Sequence, residues 1–269
     1  MSFRGQVAAI TGAGSGIGRA LAIELAGLGC NVAISDLDEK GLEETRSQVA
    51  TMNVGCLVTS LDVSDRKAVE AWSDQVVNEF GHVDYVFNNA GVALFDSAES
   101  MEYEHFEWIM NINFWGMIYG SKAFLRHFKK AGQGHVINVS SLFGLVGYPG
   151  QSAYNSSKFA IRGYTEALAL ELDGTNIHAS SVHPGGVGTD IARNSRLVSE
   201  YTNGATREEI AKRFEAMVKT TPEQAAKIIL QGVQKRKRRI LVGKDAKILD
   251  LIQRFAPEKY GKFLLRALQ

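Results

Sequence analysis

A short apolar run, QVAAIT at 6–11, passes without a spacer into TGAGSGIG at 11–18, and the helical pattern RALAIELAGLG follows. Few folds accommodate a strand that turns on glycines directly into a helix. Such a turn points unpaired N–H groups and the positive end of the helix dipole at one spot, and glycines let a pyrophosphate approach the backbone closely. Dinucleotide binding is the natural reading. The spacing is not G-x-G-x-x-G but T-G-x-x-x-G-x-G, with Gly12, Gly16 and Gly18 in register. A second apolar run, NVAIS at 31–35, ends at Asp36, where a βαβ unit places the carboxylate that holds the adenosine ribose hydroxyls. A carboxylate there repels a 2′-phosphate. No Arg or Lys stands beside Asp36, or inside the glycine turn before Arg19, so NAD is expected in preference to NADP.

Further apolar runs recur at CLVTSL (56–61), VDYVFN (83–88), HVINVSS (135–141) and HASSVH (178–183), with RILVG (239–243) as a possible edge strand, and helical stretches separate them. This alternation predicts an α/β fold with a parallel sheet covered on both faces. A length of 269 residues suits one domain, 1–269. Thirty basic against 29 acidic side chains provide no global field for nucleic acid or an anionic membrane. Cys30 and Cys56 are the only cysteines and imply no disulfide. The N-terminus is not signal-like and no run of eighteen apolar residues occurs, so a cytoplasmic protein without stable membrane insertion is expected. The six histidines show no ligand spacing, and no metal is expected.

In open α/β sheets, ligands meet the carboxyl ends of the strands. Gly12, Asp36, Asp62, Asn88, Ser141 and Pro184 all fall at or just past those ends, so one ligand can face them all. Asp62 is expected near the adenine, with Ser64 as an equally good helix cap. Tyr154 and Lys158 stand four residues apart in a helical stretch, thirteen positions after Ser141. A phenol with an ordinary pKa near ~10 is a poor base at neutral pH unless a fixed cation stabilises its anion, and i, i+4 spacing supplies that cation on the same helix face. Tyr154 is therefore the candidate acid/base.

Five motifs in order, TGAGSGIG, NNAG at 88–91, Asn113 within NFWG, Ser141 with Tyr154-x-x-x-Lys158, and HPGGVGTD at 183–190, resemble the short-chain dehydrogenase/reductase family over positions 5 to 190. The resemblance implies a Rossmann-like, doubly wound sheet in the order 3-2-1-4-5-6-7. It also implies a catalytic set of Asn113, Ser141, Tyr154 and Lys158, in which Ser141 hydrogen-bonds the substrate oxygen, Lys158 also binds the nicotinamide ribose, and Asn113 holds a water linking Lys158 to solvent. The implied cofactor contacts begin with Gly12, Ser15, Gly16, Ile17 and Gly18 in the turn, then Asp36, Asp62 and Val63. They continue with Asn89, Ala90 and Gly91 as a wall, and with Pro184, Gly185, Val187 and Thr189, the last at the carboxamide. The activity implied is hydride transfer between NAD(H) and a secondary alcohol or ketone. The rival readings are an NADP-dependent carbonyl reductase and a cofactor-sensing protein without turnover, against which the full proton-transfer set argues.

Phe95, Ser141, Phe143, Tyr148 and Tyr154 are the candidate substrate contacts. With Leu94, Leu142, Leu145 and Val146 they make a mostly apolar border, suited to a steroid, retinoid, alicyclic or long-chain compound. Positions 190–220 have the length and character of a lid, with Phe214 and Met217 able to close over a ligand. KRKRR at 235–239 reads as a solvated face at a helix end. The extension 244–269 reads as an amphipathic pair broken at Pro257, with Ile248, Ile252 and Phe255 on one face. It is expected to cover the substrate mouth, in preference to packing on a second subunit or touching a membrane. The helices around Asn113 and after Tyr154 carry enough apolar surface to predict a homodimer or homotetramer.

Overall fold

The structure, a computed structural model, describes residues 3–197, 209, 212, 218 and 220–262. Strand β1 (Val7–Thr11) is buried along its whole length, as a strand covered on both faces must be. It pairs in parallel with β2 (Asn31–Asp36) on one side and β4 (Tyr85–Asn88) on the other, so that Ala9 lies between Ala33 and Val86. With β3 (Cys56–Ser60), β6 (Gly134–Val139), β7 (Ile177–Pro184) and β9 (Arg239–Val242) they form one seven-stranded sheet, ordered β3-β2-β1-β4-β6-β7-β9, with every pairing parallel. These are the seven runs expected from the sequence, in the expected order. The labels differ because β5 (Leu94–Phe95) pairs apart from the sheet with β8 (Arg196–Leu197). Two residues are too few for an alternation signal, and neither short strand was expected.

Helices cover both faces. On one, α1 (Gly16–Gly27), α2 (Glu39–Val49) and α7 (Pro222–Gln234) bury Leu21, Leu25, Leu42, Ile229 and Val233 against Ile10 and Ile34. On the other, α3 (Arg66–Phe80), α5 (Gly116–Ala131) and α6 (Ser152–Glu171) bury Trp72, Val76, Phe124, Phe128 and Leu168 against Val7, Val86 and Val136. Helix α4 (Tyr103–Met110) runs into α5 through one π-helical turn at Asn111–Trp115. Such turns insert an extra residue per repeat and re-aim the side chains within them; here they re-aim Asn113.

Three local expectations change. Helix α3 is capped by Asp65, which accepts from the N–H groups of Lys67 and Ala68, whereas the Ser64 hydroxyl donates to Asp62 at 2.7 Å. A carboxylate accepts two N–H bonds where a hydroxyl turned toward its neighbour accepts none. The basic run is not wholly a solvated face, because Arg239 is ion-paired with Glu166 and with the buried Asp250. In the extension, α8 (Lys244–Phe255) turns Ala246, Leu249 and Asp250 toward the protein and leaves Ile248 and Phe255 facing solvent. The expected apolar face is thus the outer one. Phe214, Met217 and residues 263–269 lie outside the described residues, as does most of the expected lid. Among the described residues, no helix is long and apolar enough to cross a membrane and no group of His, Cys, Asp or Glu could hold a metal. Cys30 and Cys56 are both free.

Candidate active site

The carboxyl edge of the sheet collects the glycine turn, Asp36, Asp62, NNAG, Ser141 and the segment after β7. In the turn, Gly12 adopts φ 66°, which side chains resist, and a methyl on Gly18 would collide with the Gly12 carbonyl. Ser15, extended at the N-cap of α1, makes no side-chain cap bond, so the first N–H groups of the helix keep their donors free. Thr189 lies over this loop, with its methyl 3.0 Å from where a Gly16 Cβ would stand. Ile17 is packed on the core and Val187 is buried in it, so any contact of theirs with a ligand at this edge falls to their backbone.

Asp36 accepts the Gly14 N–H at 2.8 Å and the Asp38 N–H at 3.1 Å, and a Cβ on Gly14 would meet its carboxylate. The Arg19 guanidinium, from the helix after the turn, is engaged by the Gly14 and Gly41 carbonyls, Thr45 and Glu44. Together the uncapped helix start, the glycine-rich loop and a carboxylate at the end of β2 fit a dinucleotide. Asp62 is exposed past β3, and Val63 packs beneath Gly116.

Thr11 ties NNAG to the turn: its hydroxyl accepts the N–H groups of Asn89 and Ala90, both at 3.0 Å, and the Asn89 amide donates to the carbonyls of Thr11 and Gly12. Asn88 points the other way, into a buried network with Ser121 and Asn138 that holds strands and helix together. Gly91 has no side chain because Asn113 Oδ1 and Lys158 Nζ stand 3.1 and 3.3 Å from where its Cβ would be. Asn113, 1% exposed, accepts the Val92 N–H and donates to the Val92 carbonyl and to Ser157. Both ends of its amide are therefore engaged by this chain, which makes it a strut between the NNAG segment and the helix of Tyr154.

Tyr154 and Lys158 lie on one face of α6, with the ammonium 5.6 Å from the phenol ring centre. Lys158 donates to the Val139 carbonyl at 3.1 Å, which anchors it to the end of β6. Burial dominates both groups: it pushes the Tyr154 phenol up to about 12, against a smaller downward pull from the Ser141 hydroxyl, and pushes the Lys158 ammonium down to about 8. The expected stabilisation of a tyrosinate by lysine is therefore outweighed in the protein alone. Ser141 Oγ accepts the Phe143 N–H at 3.1 Å, which leaves its own O–H to face the Tyr154 hydroxyl.

Three residues that sequence reasoning passed over support this set. His183 donates from Nδ1 to the Ser141 carbonyl, since a carbonyl can only accept, and takes the Ser181 hydroxyl on Nε2; burial holds it neutral, with a pKa of about 4. Asn155 donates to the carbonyls of Phe143 and Val146 and accepts the Tyr148 N–H, fixing the loop between Ser141 and Tyr154. Asp245, from the first turn of α8, accepts the Gly186 N–H at 2.7 Å and fills the space that a side chain on Gly185, just after Pro184, would need. Only His183 and Asn155 carried a signal, by adjoining Pro184 and Tyr154; nothing marked Asp245.

Of the apolar border, Leu94, Leu142, Leu145 and Val146 are buried in the protein itself. Phe95, Phe143 and Tyr148 remain half-buried, and the Phe143 ring stands 4.7 Å from that of Tyr148 and 6.4 Å from that of Tyr154.

The short chain dehydrogenase family model matches residues 6–199. The chain belongs to this family. It is 42% identical over 266 residues to the Mycobacterium tuberculosis oxidoreductase SadH, covering 98% of this chain and 95% of that one. It is 36% identical over 199 residues to 3beta-hydroxysteroid dehydrogenase 2 of Eggerthella lenta, covering 73% of this chain and 76% of that one. A Burkholderia phymatum short chain dehydrogenase/reductase solved in complex with NAD superposes with a TM-score of 0.86 at 26% identity, over 99% of this chain and 96% of that one.

Proposed function

We propose that the chain transfers a hydride between NAD(H) and a secondary alcohol or ketone of apolar, cyclic character, with Tyr154 as the general acid and base. The observation that carries this reading is the buried Tyr154 hydroxyl, flanked by Ser141 and Lys158, at the same sheet edge as the glycine turn. NADH supplies the hydride when bound, and NAD⁺ accepts it. In reduction, Tyr154 donates its phenolic proton to the carbonyl oxygen as the carbon is reduced, and the Ser141 O–H, held by Phe143 N–H on its acceptor side, stabilises the charge growing on that oxygen. In oxidation Tyr154 first loses its phenolic proton to solvent, and the phenolate oxygen, with Lys158 as the adjacent cation, then receives the alcohol proton. Asn113 holds the helix of this pair in register, and Asn155 and His183 keep the loop and Ser141 in place.

The preference for NAD over NADP rests on Asp36 and on the engagement of Arg19 elsewhere. The substrate class rests on the half-buried Phe95, Phe143 and Tyr148 beside Tyr154, and a steroid-directed relative agrees with it. The test is a panel of secondary alcohols and ketones, from acetone to fused-ring ketones, run with NAD(H) and NADP(H) in parallel while the nicotinamide absorbance is followed. Turnover of cyclic apolar members with NAD(H) is expected; absence of turnover with every member refutes the reading.

A further inference from the structure

The loop between Ser141 and Tyr154 is held from two directions. Asn155, beside the candidate acid, takes the polar groups of Phe143, Val146 and Tyr148. The Gly147 N–H, between these groups, donates to the hydroxyl of Tyr260 at 3.1 Å, across 113 residues of sequence. The Tyr260 ring packs in a cluster with Leu142, Leu145, Val146 and Leu249. Phe143 belongs both to that cluster and to the one containing Tyr154, so the tail and the candidate acid share a side chain. The other end of the same extension is fixed too, through Asp245 on the Gly186 N–H. A segment bolted at one end to the turn after β7 and at the other to the loop before Tyr154 is built to set the distance between them.

We propose that Tyr260 is a specificity-determining residue: through its hydroxyl on Gly147 it fixes the wall of Phe143 and Tyr148 against which a bulky cyclic ketone is held. This rests on the hydride-transfer reading of the site. Tyr260 touches no reacting atom, so its effect falls on the fit of the ketone and not on the chemical step. A small ketone that fills only the space beside Tyr154 and Ser141 does not feel it.

Tyr260→Phe removes the hydroxyl and keeps the ring in its cluster. With NADH, the variant is expected to raise KM for 1-decalone about fivefold, the scale of one neutral hydrogen bond. KM for acetone, kcat for both ketones and the dissociation constant of NADH are each expected to stay within about twofold, the thermal midpoint confirming folding. Amide exchange over 142–148 is expected to quicken, with the glycine turn unchanged. A merely structural tyrosine would lower the thermal midpoint and move both ketones together; that result, or an unchanged KM for decalone, overturns the proposal. If the wild-type protein turns over no member of the alcohol and ketone panel, the hydride-transfer reading fails, and exchange alone judges the clamp: unchanged exchange at Gly147 overturns it, and faster exchange confined to 142–148 supports it.

Discussion

Replacing Tyr154 by Phe tests the centre of the proposed chemistry at little structural cost. The substitution keeps the ring, and with it the edge-on packing against Phe143 at 6.4 Å and the position of Lys158 at 5.6 Å. It removes one buried hydroxyl whose hydrogen-bonding neighbour is Ser141. Replacing a buried donor by hydrogen loses a bond worth about 1 kcal/mol and also removes the cost of burying the hydroxyl, so stability is expected to stay within about 1 kcal/mol of the parent. Turnover depends on proton transfer, and loss of a positioned acid/base is worth roughly 10²–10⁴ in rate. NADH binding, proposed at the glycine turn and Asp36, should change by less than about twofold. Stopped-flow absorbance at saturating ketone, cofactor titration by fluorescence and denaturant unfolding separate the three quantities. Turnover within about tenfold of the parent, in a variant that still binds NADH, would refute the assignment of Tyr154.

Asp36→Asn should weaken NADH by about tenfold or more, the scale of a hydrogen bond to a charged group, and weaken NADPH much less; equal weakening of both in parallel titrations removes the cofactor argument. Lys158 should leave a mark on stability against pH. Its folded pKa of about 8 lies below its ordinary 10.5, so the unfolded chain binds more protons between those values and this group's contribution rises with pH across that window. The parent should therefore gain on the order of 2 kcal/mol relative to Lys158→Met between pH 7 and 9.5, and a difference that is flat with pH contradicts the buried cation. Trp115 and Phe159 stand exposed at the start of α5 and on α6, which supports the expected homodimer or homotetramer; light scattering that returns a monomer mass at micromolar concentration sinks it.

What the sequence made legible is what local physics determines. Seven apolar runs became the seven strands because a strand buried on both faces must be apolar throughout, and strand ends mark the ligand edge whatever the loops do. Tyr154 and Lys158 could be paired because helical spacing alone brings them together. Asp245 and Tyr260 were not legible, since their bonds to Gly186 and Gly147 join positions that only the folded sheet makes adjacent, and His183, though it adjoins Pro184, gave no hint of its bond to Ser141 for the same reason. Nor was the balance of charge in the pair: spacing reports that an ammonium is near a phenol but not that both are dehydrated. The outward turn of Ile248 and Phe255 has the same origin, because periodicity finds a face without saying which way it looks.

That dehydration gives the two directions of the proposed reaction different electrostatics. A phenol held at about 12 is fully protonated at pH 7, so the resting protein already contains the acid that reduction needs. Ionising it at pH 7 would cost on the order of 7 kcal/mol at 1.36 kcal/mol per unit. Oxidation as proposed requires that proton to leave first, whereas reduction does not. Lys158, with its pKa of about 8, is still charged at neutral pH but loses that charge just above it. Burial thus drives the two pKa values apart, the phenol up to about 12 and the ammonium down to about 8, and reverses their ordinary order; at pH 7 a neutral acid and a charged neighbour still coexist, which is the protonation state the proposed ketone reduction requires before its substrate arrives.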